Sequence, residues 1–280
     1  MKYGFVLPSG DARTAAGMAQ AAEEAGWDGF FVWDPVWGID PWVALAAAAM
    51  QTRRIRLGTM ITPVSRQRPW ALAGQTATLD NLSGGRVILA VGLGAVDTGF
   101  AEFGEVTDRK TRAELLDEGL EIIDGLWRGQ PFSFEGKHYH VRPTEFSPPP
   151  PPVLRSTPAG PRPHIPIWVV GAGWRPKSLA RALRWDGVLP ARMTPDGRFE
   201  PVTAQDVADI RAYAAARRPP GLAPLDIIVD GETPGDDSQK AAAQLRPLAE
   251  AGATWWIETL WEAEGLEPMR ERIRQGPPKS

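Results

Sequence analysis

The chain has 280 residues, a hydrophobic fraction of 43% and a formal net charge of −3, which suits a large domain with a sizeable core. This charge gives no electrostatic footprint for nucleic acid or an anionic membrane, and the sequence shows neither a signal peptide nor an apolar membrane span. Because there is no cysteine, disulfides, zinc–cysteine sites and iron–sulfur clusters are excluded. We expect a cytoplasmic protein.

The first part of the chain alternates short apolar runs with amphipathic segments. The runs predict strands over residues 3–7, 29–33, 55–62 and 87–91. The segments between and after them predict helices over residues 12–25, 42–51, 70–82 and 110–127. The third of these helices ends in Ser83-Gly84-Gly85, which is a typical helix C-cap.

The alternation is interrupted once and then resumes. Residues 132–141 predict a β-hairpin around Glu135-Gly136, and residues 147–166, with five successive prolines at 148–152, predict an extended surface loop. Beyond the loop we expect strands over residues 167–170, 187–189, 226–229 and 254–258. The helices expected there cover residues 176–184, 204–216, 238–251 and 266–275.

Eight strands alternating with eight helices predict an α/β fold, a (β/α)8 TIM barrel formed by residues 1–280 as a single domain. The alternative is a doubly wound open sheet. Such a sheet would normally carry a nucleotide-binding fingerprint after its first strand, and Pro8-Ser9-Gly10-Asp11 is not one.

In a barrel of this type the reacting groups follow the carboxyl ends of the strands. Twelve tryptophans are present, and several fall at these positions, where aromatic walls suit a flat ring or an apolar substrate; elsewhere, as at Trp27, Trp127 and Trp185, core packing is the simpler interpretation. The candidate pocket residues are Trp33, Trp37, Trp70, Trp174 and Trp261.

Three further features at strand ends have both a functional and a structural interpretation. The turn Gly171-Ala172-Gly173 before a helix favours an anion such as phosphate, with Arg192 adding positive charge, although glycine is also common in such turns for geometry alone. Asp34 is a candidate catalytic acid or a cap of the turn before Pro35. Glu258 is a candidate catalytic carboxylate or a solvated one.

The three histidines do not indicate a metal or a catalytic triad. His138 and His140 have the spacing of metal ligands on one hairpin strand, but only His164 is left to complete such a site, without an acidic neighbour. No histidine follows a predicted barrel strand. A bound cofactor is therefore expected to carry demanding chemistry.

The order and spacing of several segments resemble the luciferase-like family of flavin oxidoreductases, over residues 3 to about 258. The segments are Ile55–Pro63, Arg68–Gly94, Asp117–Gly129, Glu135–Tyr139, Ile165–Gly173 and Ala182–Gly187. The resemblance implies a barrel that binds FMN or coenzyme F420 at the strand ends, a homodimer, and a bulge with a non-proline cis peptide at Met60, Ile61 and Thr62. It also places the acid after the second strand at Asp34; many F420-dependent members have histidine next, where this chain has Pro35.

The candidate cofactor-binding residues combine this resemblance with the strand-end glycines. They are Met60, Ile61, Thr62, Gly92, Gly94, Gly171, Ala172, Gly173, Ala191 and Arg192. We expect a flavin-dependent monooxygenase that uses reduced FMN and oxygen, or hydride transfer, on an apolar or aromatic small molecule, with a separate flavin reductase as a partner. The alternatives are F420-dependent hydride transfer, a non-catalytic flavin-binding protein, and a cofactor-free barrel lyase or isomerase.

Overall fold

The computed structural model describes residues 1–129, 131–150, 164–172, 175–194 and 199–278, and the backbone of residues 154–155 and 162–163. Eight parallel strands form the centre of the molecule. They are β1 (Lys2–Leu7), β2 (Gly29–Val32), β3 (Arg56–Thr59, resuming at Thr62–Pro63), β4 (Val87–Gly92), β5 (Ile167–Ala172), β6 (Gly187–Met193), β7 (Asp226–Gly231) and β8 (Trp255–Glu258).

Each strand pairs with the next, and β8 pairs with β1, so the sheet closes on itself. The predicted barrel is therefore confirmed, and the open-sheet alternative is wrong, because an open sheet would leave its first and last strands unpaired.

Eight helices surround the strands in the described part of the chain. They are α1 (Ala12–Ala25), α2 (Pro41–Gln51), α3 (Pro69–Ser83), α4 (Arg109–Trp127), α5 (Pro176–Ala182), α6 (Ala204–Arg217), α7 (Ser238–Ala251) and α8 (Glu267–Gln275). Side chains cap the starts of α1, α2, α4, α6 and α7 by accepting backbone N–H bonds, as Asp11 does from Thr14 at 2.7 Å. The predicted C-cap of α3 is present, with Gly84 at a φ of +72°.

Between β4 and β5 the chain leaves the barrel. An antiparallel pair, Phe132–Glu135 with His140–Thr144, lies beside α4, and Glu118 on that helix accepts the backbone N–H groups of Lys137, His138 and Tyr139 at its tip. Most of the proline-rich segment predicted as a surface loop lies outside the described residues.

Two apolar layers result from the alternation of side chains along each strand. The outer layer lies between strands and helices and includes the buried Trp27, Trp127 and Trp185, as predicted. The inner layer fills the barrel with Val6, Phe31, Met60, Ile88, Ala90, Trp168, Leu189, Ile228, Trp255 and Ile257. Because the interior is packed, only the open end of the barrel above this layer is free for a ligand.

Candidate active site

The floor of the barrel mouth is defined by the strand register. Side chains two residues beyond a member of the inner layer also point to the barrel axis, one layer nearer the carboxyl ends of the strands. These positions include Trp33, Gly92, Val170, Ala191 and Asp230, to which the β3 bulge adds Ile61. Ala172 lies one step further along β5 on the same face as Val170. The floor is therefore mostly apolar, with small residues on β4, β5 and β6.

A bulge in β3 forms one side of this floor. The peptide bond between Met60 and Ile61 is cis, at the place that the family resemblance implies. The strand resumes at Thr62, whose hydroxyl donates to Thr59 Oγ1 at 2.9 Å, and Thr59 Oγ1 in turn donates to the carbonyl oxygen of Ala90 at 3.2 Å. These buried hydrogen bonds fix the bulge against β4.

Gly92 lies beside the bulge, directly under the side chains of Ile61 and Val170. A Cβ atom at this position would lie 2.9 Å from Ile61 Cδ1 and 2.9 Å from Val170 Cγ2, which is closer than van der Waals contact. Gly92 is therefore required for the close packing of Ile61 and Val170 over β4, and Ala172 and Ala191 are the small residues on the neighbouring strands. Gly94 lies beyond, in a loop that Arg112 holds by donating from Nη1 to its carbonyl oxygen at 3.0 Å.

Asp34 lies directly after β2 and is 6% exposed. Its Oδ1 accepts a hydrogen bond from Arg66 Nη1 at 3.2 Å, and its backbone oxygen accepts from the same atom at 3.2 Å. Oδ2 is buried without a hydrogen-bond partner. Burial raises the pKa of Asp34 to about 6, although the Arg66 guanidinium opposes the shift. The carboxyl is thus a buried, weakly paired acid, and its free oxygen is closed to solvent.

Three of the predicted pocket tryptophans lie together. The ring centroid of Trp33 is 5.7 Å from that of Trp37 and 6.0 Å from that of Trp261, both edge to face. Trp37 and Trp261 are 58% and 45% exposed. They form an aromatic wall at the mouth where β2 and β8 end.

The other two tryptophans do not join this wall. Trp70 begins α3 on the outside of the barrel, where its ring lies 6.2 Å from that of Tyr139 in the hairpin and 5.8 Å from the Arg68 guanidinium. In the described residues Trp70 therefore contacts the hairpin and not the other predicted pocket tryptophans. Trp174 lies outside the described residues.

Glu258 is not placed for catalysis at the mouth. Its neighbour Ile257 belongs to the inner layer, so Glu258 points outward, between β8 and α8, and is 0% exposed. It accepts hydrogen bonds from Thr233 N and Oγ1, both at 2.7 Å, and from Trp256 Nε1 at 2.9 Å. Arg272 completes the set, with Nε 3.3 Å from Glu258 Oε1. The catalytic assignment is corrected to a structural ion pair.

The predicted phosphate site is only partly supported. The N–H of Ala172 donates to Ser178 Oγ at 3.0 Å, and a Cβ on Gly171 would meet Val188 Cγ2 at 2.8 Å, so Gly171 is required by packing outside the barrel. Arg192 bonds Glu200 Oε2 at 2.8 Å and Asp206 Oδ2 at 3.4 Å. Its charge is balanced by two carboxylates. Gly173 lies outside the described residues.

Asp230 is a candidate that the sequence analysis missed. The seventh strand was predicted to end at residue 229, whereas β7 continues to Gly231. Asp230 lies two residues beyond Ile228 of the inner layer, so its side chain enters the mouth and is exposed there. Desolvation by the surrounding protein raises the pKa of Asp230 to about 6. The signal in the sequence was the two-residue alternation of side chains along the strand, which places residue 230 on the same face as Ile228.

None of the helices in the described part of the chain has both the length and the apolar character that a membrane crossing requires. Nor do three or more histidine, aspartate or glutamate side chains in the described ranges converge in a way that could hold a metal ion.

Comparison with known proteins identifies the family. Residues 3–276 match the model of the luciferase-like monooxygenase family, so the chain belongs to it. An uncharacterized protein of Mycobacterium tuberculosis is 31% identical over 252 residues, which cover 81% of this chain and 84% of that protein. An F420-dependent glucose-6-phosphate dehydrogenase of Beutenbergia cavernae is 30% identical over 235 residues, covering 80% of this chain and 64% of the dehydrogenase.

Solved structures with the same fold include users of both cofactors. An F420-dependent secondary alcohol dehydrogenase in complex with an F420–acetone adduct superposes with a TM-score of 0.76 at 16% identity, covering 98% of this chain and 97% of that one. The oxygenating constituent of 3,6-diketocamphane monooxygenase from Pseudomonas putida, in complex with FMN, gives a TM-score of 0.67 at 16% identity, covering 98% and 96%. The chain is therefore an oxidoreductase of a family that uses a flavin-type cofactor.

Proposed function

We propose that this protein is an F420-dependent oxidoreductase that transfers hydride between the deazaflavin ring and a small, largely apolar molecule. The observation that carries the proposal is the apolar floor of the barrel mouth, where Ile61 packs directly over Gly92 and the small residues Ala172 and Ala191 lie on the neighbouring strands. An apolar surface under an aromatic wall suits a tricyclic ring. The proposal of F420 in particular is supported by curated relatives that are named as F420-dependent dehydrogenases.

Residues of the mouth would contact the ring, support the β3 bulge and exclude water. Ile61 and Gly92 would contact the ring from below, and Met60 and Thr62 would hold the bulge in place. Trp33, Trp37 and Trp261 would cover the mouth and exclude water from the reacting atoms. F420, when bound, supplies a ring carbon that accepts or donates hydride. The ring contacts carry this proposal, because Ala172 N–H and Arg192 already have protein partners.

Asp34 would act as a positioning residue. Its bonds to Arg66 join the end of β2 to the turn at Val64–Arg66 that directly follows the bulge. Since its free Oδ2 is closed to solvent, Asp34 would tune the electrostatics beside the ring without touching the substrate.

Binding titrations test this proposal. Purified protein is titrated with F420 and, separately, with FMN, and quenching of tryptophan fluorescence is followed. We expect F420 to bind, and Gly92→Leu to weaken that binding at least about ten-fold by displacing Ile61 and Val170 from the floor. The control is Gly17→Leu, because a Cβ at Gly17 on α1 meets nothing within 4 Å.

A second variant, Ala191→Leu, guards against a folding defect in Gly92→Leu, and circular dichroism checks both. If neither cofactor binds to the wild-type protein, or if both floor variants fold and bind F420 as the wild type does, the proposal is wrong.

A second candidate is an FMN-dependent monooxygenase, supplied with reduced FMN by a separate flavin reductase. Pro35 favours it, because many F420-dependent members of the family have histidine at this position. Tighter binding of FMN than of F420 in the same titrations, together with oxygen consumption that needs an added reductase, would select this candidate.

We also propose a homodimer. Helix α2 carries no charged residue, and its solvent-facing positions Val43, Ala46, Ala47 and Met50 form an apolar stripe with helical spacing. Val43 is 62% and Met50 68% exposed. On the adjacent α3 the charged residue is Asp80, which is buried. An uncharged apolar face of this kind suits a second copy of the chain.

A further inference from the structure

Asp230 differs from the other acids of the site in being open to the mouth. Its side chain points to the barrel axis from the carboxyl end of β7. Within the described ranges no lysine, arginine or histidine side chain pairs with it, whereas Asp34 bonds Arg66 and Glu258 bonds Arg272. An unpaired carboxylate at the floor of an otherwise apolar mouth is left with its hydrogen-bonding capacity unused.

The closed strand order fixes what Asp230 faces. Since β3 and β7 are four strands apart in a barrel of eight, they stand on opposite sides of the axis. Asp230 therefore looks across the mouth toward Ile61 in the β3 bulge. Trp33 on β2 and Ala191 on β6 flank the space between them. Of the described side chains that the register places around this space, Asp230 is the charged one.

We infer that Asp230 is the catalytic acid–base residue, and that the substrate is a small apolar alcohol whose hydroxyl it contacts. This inference rests on the proposed hydride-transfer function. Its pKa near 6 is suited to the role, because a base of that strength is ionised at neutral pH yet can hold a proton transiently. Covering the mouth with a ring and substrate would desolvate the carboxyl and raise its pKa further.

F420, when bound, would be the two-electron acceptor: the substrate's C–H bond would break and its electron pair leave as hydride to the cofactor, so that the alcohol is oxidised and the cofactor reduced. The O–H bond breaks, its proton moves to a carboxylate oxygen of Asp230, and the carbonyl C=O bond forms. Asp230 then releases the proton to solvent through the open mouth. In the reverse direction the protonated Asp230 donates to the carbonyl oxygen.

The other two acids near the strand ends lack the required access. Asp34 Oδ2 is free of hydrogen bonds but closed to solvent, and both oxygens of Glu258 accept hydrogen bonds outside the barrel. Neither can reach a substrate hydroxyl without rearrangement of the surrounding protein. Asp230 needs no such rearrangement.

Two measurements on Asp230→Asn test the inference, with Glu232→Gln, an exposed acid in the following loop, as control. The first is binding of cyclohexylamine, whose ammonium should pair with the ionised carboxylate. In the wild type and the control, affinity should rise as the pH increases through about 6. Asp230→Asn should lose this pH dependence while binding F420 as tightly as the wild type.

The second measurement is reduction of F420 by a panel of secondary alcohols that includes 2-propanol and cyclohexanol. Asp230→Asn should lower kcat at least about 100-fold, the usual contribution of general acid–base catalysis, and abolish the rise of the wild-type rate with pH. Failure of wild-type protein to bind F420 refutes the proposed function. Binding of F420 without reduction by any alcohol, unchanged amine binding in Asp230→Asn, or an unchanged rate refutes the role of Asp230 and leaves the cofactor proposal intact.

Discussion

Arg272 and Glu258 form a buried ion pair between α8 and β8, with Arg272 Nη2 3.3 Å from Glu258 Oε2 and side-chain exposures of 7% and 0%. Arg272 also donates to the backbone oxygen of Gly276 at 2.7 Å and stacks over the ring of Trp27 at 5.1 Å. Arg272 thus joins the last helix to the last strand of the barrel and to the connection between α1 and β2.

Glu258→Gln should lower the free energy of unfolding by about 3 kcal/mol, because Arg272 would remain buried without a counter-charge. Urea unfolding measures this loss, and F420 affinity of the folded protein should not change. In the double variant with Arg272→Met, part of the stability should return. A loss of F420 binding without a loss of stability would restore Glu258 to the site.

The Asp34–Arg66 pair leads to a prediction about proton affinity. Arg66→Gln removes the cation that opposes the effect of burial, so the pKa of Asp34 should rise above its value of about 6. Carboxyl-carbon NMR of the protein with labelled aspartate measures the change, and the Asp34 signal is assigned with Asp34→Asn. The control is Arg68→Gln, which removes an exposed neighbouring cation. An Asp34 pKa that falls or stays constant in Arg66→Gln would contradict the assignment.

Asp80 on α3 should make stability depend on pH. Burial raises its pKa from 3.8 to about 6 in the folded protein, so the native state binds more protons than the unfolded state between these values. Its contribution to the free energy of unfolding must therefore fall as the pH rises from about 4 to 7, by at most about 3 kcal/mol.

Asp80→Asn removes this titration and keeps an oxygen to accept the N–H of Val87, now bonded at 3.0 Å. Relative to the wild type, the variant should therefore gain stability as the pH rises from 4 to 7 in urea unfolding. The exposed Glu250→Gln should follow the wild type. If Asp80→Asn instead lost stability relative to the wild type as the pH rises from 4 to 7, Asp80 would be stabilised in its charged form.

Much of the barrel could be predicted from the sequence, because apolar periodicity reports directly on strands buried on both faces and on helices that cover them. The carboxyl ends of the strands were harder to predict from the sequence. The predicted seventh strand ends at residue 229, although the two-residue spacing of Asp230 from Ile228 continues the inward-facing positions. Glu258 ends the predicted eighth strand, but its neighbour Ile257 occupies the inward-facing position, so Glu258 points outward.

Other features depend on contacts that the local sequence does not show. Arg192 is the type of residue that binds phosphate, but Glu200 and Asp206 on α6 balance its charge. Glu200 belongs to a short strand, Phe199–Glu200, that pairs antiparallel with β6, and no local sequence pattern predicts this pairing. The bulge at Met60–Thr62 was expected from the family resemblance, whereas the residues alone indicated only a long third strand.

The two exposed tryptophans Trp37 and Trp70 should respond differently to cofactor binding. Trp37 adjoins Trp33 at the mouth, and Trp70 packs against the hairpin. Trp37→Phe should therefore reduce the fluorescence quenching that F420 causes, and Trp70→Phe should leave the quenched emission unchanged. The reverse pattern would place the cofactor on the outside of the barrel.

The apolar stripe of α2 predicts the effect of a charge on association. Ala47→Glu should convert a dimer to a monomer, because the interface would bury an unpaired carboxylate. Sedimentation velocity measures the mass, and Ala215→Glu on the exposed face of α6 is the control. A wild-type monomer, or a dimer that Ala47→Glu leaves intact, would contradict the proposed interface.

The central claim, that the floor formed by Ile61, Gly92, Ala172 and Ala191 holds a flavin-type ring, is tested most directly by a crystal structure of the protein with F420. We predict that the ring lies in the mouth within about 4 Å of Ile61 and Gly92, with Asp230 across the axis from it. A ring bound outside the mouth, or one that does not touch the β3 bulge, would contradict the account.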